Sequence, residues 1–182
     1  FNHDVEQSYY ADLISGISKD KVVSLYFHIP FCHVLCHYCG CCTKVSNSYS
    51  PVKEYIETLI KEIDLIGEQL GNRLPVSQIH FGGGSPNFLE ELELKNIFSK
   101  INKYFDTTNN TEIVIEADPR LMSDKKIKIL SDVGFTRVSL GVQDFNSETQ
   151  KAINRIQPFE QVQESVLGLR DAGIKNINFD LM

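Results

Sequence analysis

The sequence predicts an α/β chain built on a parallel sheet. Short runs rich in β-branched and aromatic residues alternate with longer stretches in which apolar residues recur every three or four positions. That strand–helix alternation is the pattern of parallel strands joined by helical crossovers. Each strand-like run also ends in glycine or polar residues, and in such architectures ligands sit beyond the carboxyl ends of the strands. Right-handed crossovers let the strands curl toward a barrel, although five strands are too few to close a barrel of eight.

The elements follow in order. Residues Asp4 to Ser18 are expected to form a short amphipathic helix, with Tyr9, Leu13 and Ile17 at four-residue spacing. They belong to an N-terminal helical segment, residues 1–20, ahead of a barrel region, residues 21–182. Lys21 to Phe27 is the first strand, and it delivers the chain into a cysteine-rich loop reaching about Ser50. Pro51 suits a helix start. Val52, Tyr55, Ile56, Leu59, Ile63 and Ile66 form the apolar face of that helix. After a turn at Gly71 to Pro75, Val76 to Phe81 is the second strand, followed by Gly82-Gly83-Gly84-Ser85-Pro86.

Glu90 to Tyr104 is the next helix, with Leu94, Ile97, Phe98 and Ile101 inward. A polar loop, Asp106 to Asn110, leads to the third strand, Thr111 to Ala117. Ser123 to Val133 is helical, and Gly134 suits its C-terminal cap. Thr136 to Gly141 is the fourth strand, with Gly141 marking a tight exit. Phe145 to Ile153 and Phe159 to Ala172 are helices broken around Pro158, and Lys175 to Leu181 is the fifth strand. The chain starts at Phe1 and stops at Met182 directly after an apolar run, so it is expected to be cut after the fifth strand.

Composition narrows the function classes. With 182 residues, 42% hydrophobic and 23% charged, the chain suits one globular domain with a real core. No run of about 18 apolar residues predicts a membrane span, and no basic-then-apolar signal peptide is visible. A formal net charge of −6 argues against nucleic acid as a partner.

The chemistry centres on Cys32 to Cys42, which holds all five cysteines. The first three, Cys32, Cys36 and Cys39, are spaced C-x3-C-x2-C. Three such thiolates can bind three irons of a cubane and leave the fourth open to an exogenous ligand. A zinc knuckle on Cys32, Cys36, Cys39 and Cys41, with His28, His33 and His37 nearby, is the competing metal reading. A disulfide framework is disfavoured, because no cysteine outside the loop ties distant parts together. Clustered free thiols suit a reducing cytoplasm.

The strand ends add candidates. Gly82 to Gly84 permit close backbone approach and unusual dihedrals, but they match neither a dinucleotide fingerprint nor a P-loop. Glu116 can accept from hydroxyls or an ammonium, or else pair with Arg120. Gln143 is a neutral donor and acceptor, and Asp144 serves equally as a helix cap. Arg155 offers a fork to a carboxylate or is a solvated helix-end cation. Asp180 lies in an apolar strand, where a carboxylate needs a reason.

Tyr26-Phe-His-Ile-Pro-Phe-Cys32, with Cys36, Cys39, Gly40 and Cys41 behind it, resembles the radical S-adenosylmethionine enzymes. Within them it resembles the oxygen-independent coproporphyrinogen III oxidases of haem biosynthesis. Gly-Gly-Gly-Ser-Pro, Ile-Glu116-Ala-Asp-Pro-Arg, Ser-Leu-Gly-Val-Gln143-Asp-Phe-Asn and Asn-Phe-Asp180-Leu extend the likeness from Ser24 to Met182. Ser85 stands where the family usually has Thr, which keeps the hydroxyl.

The resemblance implies a partial (β/α)6-type barrel, here without its sixth strand. It implies a 4Fe-4S cluster on Cys32, Cys36 and Cys39, with S-adenosylmethionine on the open iron near Tyr26, Gly83 and Glu116. Tyr38, Gly84, Ser85, Gln143, Arg155 and Asp180 align with a second S-adenosylmethionine that family members can hold. It implies a 5′-deoxyadenosyl radical that takes hydrogen from substrate propionates, two of which become vinyls to give protoporphyrinogen IX.

Cys41 matches a fourth family cysteine that is not an iron ligand, and separates this chain from homologues that act as haem chaperones, the alternative function. No role is implied for Cys42. The motifs downstream of the loop weigh against zinc. Partners expected are the porphyrinogen and an electron donor, with no nucleic acid or membrane and a monomer at full length. The 182 residues alone are expected not to complete the reaction.

Overall fold

The computed structural model describes residues 6–182, so Asp4 and Val5 of the expected first helix lie outside the described residues. Helix α1 spans Gln7–Ser15, and strand β1 spans Val23–Ile29. Two short strands, β2 (Phe31–Cys32) and β3 (Lys44–Val45), pair with each other and brace the cysteine loop. Helix α2 (Ser50–Leu70) leads to β4 (Leu74–Gly83), a 3-10 turn at Pro86–Phe88 and α3 (Glu91–Tyr104). Strand β5 (Phe105–Asp106) pairs with the start of β4. Then come β6 (Glu112–Ala117), a 3-10 turn at Pro119–Leu121, α4 (Asp124–Val133) and β7 (Arg137–Gln143). Helices α5 (Ser147–Ala152) and α6 (Phe159–Asp171) precede β8 (Asn176–Leu181).

The main sheet has the order β1-β4-β6-β7-β8, and every pairing along it is parallel. This is the α/β fold with five consecutive strands that the alternation predicts. Side chains alternate between the two faces of each strand. Ile79, Phe81, Ile115, Val138 and Leu140 point one way and are fully buried under the helices. Burying each such side chain contributes about 1.5–3 kcal/mol. Tyr26, Glu116 and Ser139 point the other way, and register places Tyr26 beside His80, Glu116 beside Ser139, and Gly141 beside Asp180. A parallel strand covered on both faces reads as continuously apolar. These strands instead put polar groups on the inner face.

The helix layer follows the periodicity. Val52, Ile56, Leu59 and Ile63 of α2 are buried, while Tyr55 and Ile66 pack against the core at its edge. Neighbouring helices touch in sequence, α2 on α3, α3 on α4 and α4 on α6. Helix α4 starts at a Ser123 cap, whose hydroxyl accepts from the Lys126 backbone, and ends at Gly134 with φ +102°.

Helix α1 departs from expectation. Tyr9 and Leu13 are 58% and 54% exposed, whereas Ile17, just past the helix end, packs on the core as expected and Ile14 joins it. Helix α1 rests against α2.

Candidate functional site

The carboxyl ends of the strands open on a cavity of about 180 Å³. Cys32, Cys36 and Cys39 line it together with Tyr38, Gly83, Gly84, Ser85, Glu116, Gln143, Arg155 and Asp180. Of the site residues proposed from the sequence, only Tyr26 is absent from that lining. Its phenol lies 3.1 Å from His28 Nδ1 and borders Gly82 and Glu116 at the rim. Burial, then the Glu116 carboxylate, pushes the Tyr26 phenol up.

All five thiols are free, with Cys36 buried and Cys41 and Cys42 exposed. The loop that carries them is tied to the end of α5. The His37 backbone N–H donates to Ile153 O at 3.0 Å, its Nδ1 pairs with Ala152 O at 3.0 Å, and Asn154 Nδ2 donates to Leu35 O at 2.9 Å. The histidines are thus engaged elsewhere: His28 Nε2 meets Cys42 O at 3.0 Å, and the His33 ring lies 4.3 Å from that of Phe88.

Among the described residues, no group of three or more His, Cys, Asp or Glu side chains is gathered tightly enough to hold a single metal ion. Tetrahedral zinc needs its ligands about 2.0–2.3 Å from one point. Three cubane ligands instead each take a different iron, so their sulfurs stand apart. Burial pushes the Cys32 thiol up, opposed by the Ser85 hydroxyl, which donates to its sulfur at 3.6 Å. Burial and the neighbouring Cys39 thiol push Cys41 up as well.

The triple glycine lets the backbone pack directly against the cysteine loop. A Cβ on Gly84 would stand 2.7 Å from the Phe31 carbonyl oxygen and 3.0 Å from Cys32 Sγ. Gly83 has φ +117°, a conformation that disfavours side chains. Its N–H donates to Glu116 Oε2 at 3.1 Å. The three free thiols and the cavity they share with Gly83, Gly84 and Glu116 fit a three-cysteine iron–sulfur cluster with a ligand beside it.

Glu116 does not pair with Arg120. Its Oε1 meets His80 Nε2 at 3.0 Å while its Oε2 accepts from the Gly83 N–H, so each oxygen is held by its own partner. Arg120 instead forks onto Asp118, with Nη2 2.6 Å from Oδ2. Arg155 is not a solvated cation either. It is 7% exposed, donates from Nη2 to Gly141 O at 2.7 Å, and points Nη1 at Cys36 Sγ at 3.5 Å.

Gly141 does not end its strand, which runs on to Gln143. A Cβ at Gly141 would stand 2.9 Å from Arg155 Nη2, so the glycine makes room for that guanidinium. Gln143 holds φ +67°, an uncommon conformation for a non-glycine residue. Asp144 Oδ1 accepts from the Asn146 backbone, but Asn146 is the cap of α5.

Asp180 accepts from Ser139 Oγ at 3.2 Å and Asn178 Nδ2 at 2.9 Å, so its strand is polar on this face. Desolvation pushes the Tyr38 phenol up to about 12, with Arg155 opposing. Asp118, at the end of the third strand, lines the cavity, as do Arg120, Ser139 and Gly141, which the sequence did not single out as ligands. The Asp-Pro-Arg run after the third strand was the available signal for Arg120.

Residues 26–182 match the profile of the Radical SAM superfamily. Oxygen-independent coproporphyrinogen III oxidase of Helicobacter pylori (strain 26695) is 40% identical over all of this chain, which covers 38% of that protein. The protein of the same name from Bradyrhizobium diazoefficiens is 38% identical, again over all of this chain and 40% of its own length. The solved structure of coproporphyrinogen III oxidase (HemN) from Escherichia coli, described as a radical SAM enzyme, matches with a TM-score of 0.92 at 33% identity. That match covers 100% of this chain and 41% of the other. The chain thus spans about 40% of the length of the relatives it matches.

Proposed function

Because the chain belongs to the Radical SAM superfamily, we propose that it is the cofactor-binding barrel of an oxygen-independent coproporphyrinogen III oxidase. Cys32, Cys36 and Cys39 would hold a 4Fe-4S cluster. Tyr26, Gly83 and Glu116 would hold S-adenosylmethionine, and Tyr38, Gly84, Ser85, Gln143, Arg155 and Asp180 a second molecule of it. When bound, cluster and S-adenosylmethionine supply the one-electron chemistry that removes hydrogen and carbon dioxide from two substrate propionates, leaving vinyls.

The chain's own residues position and shield. The Glu116 carboxylate, fixed by His80 and the Gly83 N–H, faces the mouth, where it can accept from ribose hydroxyls or an ammonium. Gly83 and Gly84 line the cavity with backbone alone, so their peptide groups can meet the ligand. Asp180, oriented by Ser139 and Asn178, offers a second acceptor across the mouth. Cys41, near Cys39 and outside the three-thiol set, fits the oxidase reading over the haem-chaperone one.

One observation carries the proposal. Residues from all five strand ends or the loops after them converge on a single cavity with four free thiols, Cys32, Cys36, Cys39 and Cys41. A low-potential electron donor, a monomeric full-length protein and a cytoplasmic location complete the reading. No helix among the described residues is long and apolar enough to cross a membrane.

Anaerobic reconstitution of the full-length protein tests it. Iron and sulfide should be present, S-adenosylmethionine should be cleaved, and coproporphyrinogen III should yield protoporphyrinogen IX. Cys32→Ala, Cys36→Ala and Cys39→Ala should each abolish the brown chromophore, while Cys41→Ala should keep it. Zinc in place of iron, or haem binding without cleavage of S-adenosylmethionine, would overturn the proposal.

A further inference from the structure

We propose that the Arg120 and Arg155 guanidiniums, gathered on the Asp118 carboxylate in the cavity that Cys36 lines, leave a net positive charge there that stabilises the electron added when the cluster is reduced. This rests on the functional reading above and adds a determinant of the cluster's reduction potential.

Asp118 is itself rigidly placed. Its backbone N–H donates to Asn87 Oδ1 at 3.1 Å, and its carbonyl accepts from Asn87 Nδ2 at 3.0 Å. Asn87 is 1% exposed, so this reciprocal clamp joins the turn after β4 to the end of β6. The Asp118 carboxylate then takes two cations. Arg120 Nε reaches Oδ1 at 3.0 Å and Oδ2 at 3.1 Å, and its Nη2 reaches Oδ2 at 2.6 Å. Arg155 Nη2 stands 3.4 Å from Oδ1.

Arg155 Nη1 donates to Cys36 Sγ at 3.5 Å, and Arg120, held on the same carboxylate, lines the cavity together with that thiol. Asp118, Arg155 and Cys36 are 6%, 7% and 8% exposed. Two guanidiniums against one carboxylate leave one positive charge in surplus, in a place where an unbalanced charge is costly.

The other two thiols have no such company. Cys32 receives the Ser85 hydroxyl and Cys39 neighbours the Cys41 thiol, both neutral partners. The arrangement therefore places its positive charge on one of the three proposed ligands.

Reduction moves one electron from a low-potential donor onto the oxidised cluster, with no bond formed or broken. Part of the added charge rests on the ligand sulfurs. Donors and cations held against a sulfur favour the reduced form, and hydrogen bonds to the sulfurs are among the factors that set cluster potentials. The low-dielectric setting strengthens the effect.

An electron-paramagnetic-resonance redox titration of the reconstituted full-length protein tests this. It is run without S-adenosylmethionine, so that the proposed cofactor contact of Arg155 does not enter. Arg120→Gln and Arg155→Gln should each move the midpoint potential to more negative values. Asp118→Asn, which removes the opposing charge, should move it the other way, and Arg120→Lys should recover part of the Arg120→Gln shift. Iron and sulfide per chain should stay near the wild-type value in Arg120→Gln, whose side chain, 21% exposed, is the least buried of the three.

Opposite shifts from the arginine and aspartate variants support the inference, since loss of packing alone would lower cluster content without this pattern of sign. Unmoved potentials in fully loaded variants would overturn this inference alone. A wild-type protein that binds no iron would overturn the functional reading beneath it.

Discussion

On the helix-covered face of the sheet, Ile79, Phe81, Ile115, Val138 and Leu140 are 0% exposed. On the opposite face the same layer of strands carries Tyr26, His80, Glu116, Ser139 and Asp180 around an open mouth. The first face is held by many interchangeable apolar contacts, each weak and all additive with burial. The second is held by a few named polar partners, such as His80 and Gly83 on Glu116. Stability is therefore expected to depend on one face and binding on the other.

The largest effect tests the covered face. Leu130 in α4 is 0% exposed. Leu130→Ala should lower unfolding free energy by about 2–5 kcal/mol, read from urea denaturation. Affinity of the folded fraction for S-adenosylmethionine should stay at the wild-type value. A parallel loss of affinity would show that the two faces are not separable.

Glu116→Ala is the reciprocal test. Losing one charge-assisted hydrogen bond should cost about 1.5–3 kcal/mol of binding, or roughly 10- to 100-fold in the dissociation constant for S-adenosylmethionine. The cluster content and the urea midpoint should hold. His80 is 29% exposed at the mouth, so water can replace its lost partner. An unchanged dissociation constant would remove Glu116 from the site, and a fallen midpoint would make it structural.

The same contrast explains what the sequence could show. The helix layer was legible because burial there follows a local period: Leu94, Ile97 and Ile101 of α3 are all 0% exposed, as their spacing predicts. The bends of the cysteine loop were not, since β2 and β3 are two residues long and exist only by pairing with each other.

The site divides in the same way. Residue types and motif likeness singled out Glu116, Arg155 and Asp180, but their partners lie far along the chain. Glu116 pairs with His80 rather than Arg120, and Arg155 reaches Cys36 across 119 positions. Long-range polar pairing leaves no periodic trace, so the clamp between Asn87 and Asp118, 31 positions apart, was not legible.

Glycine substitutions in the helix layer probe how rigid the covered face is. In α2, a Cβ on Gly67 would fall within the ring of Tyr104. That ring cannot swing away cheaply, because its hydroxyl donates to Asp64 Oδ1 at 2.8 Å while Lys100 holds the other Asp64 oxygen at 2.5 Å. Gly67→Ala should therefore cost about 1–3 kcal/mol by overpacking, despite the better helix propensity of alanine. A rise in the urea midpoint would show that α3 can move off α2.

The smallest effect should have the opposite sign. Gly168 lies within α6, where a Cβ would meet only Ile127 Cδ1, at 2.8 Å. That atom is the free end of a flexible side chain on α4, and a rotamer change or a shift of a few tenths of an ångström relieves the contact. Alanine in a helix interior is favoured over glycine by about 1 kcal/mol, largely through the lower entropy of the unfolded chain. Gly168→Ala should accordingly raise stability by about 0.5 kcal/mol once the contact with Ile127 is accommodated. Urea denaturation of this variant beside Ile127→Val/Gly168→Ala, in which the blocking methyl is gone, separates the two contributions. A midpoint lowered in the single variant and restored in the double would show that Ile127 cannot yield. The α4–α6 contact would then be as unforgiving as the one between α2 and α3.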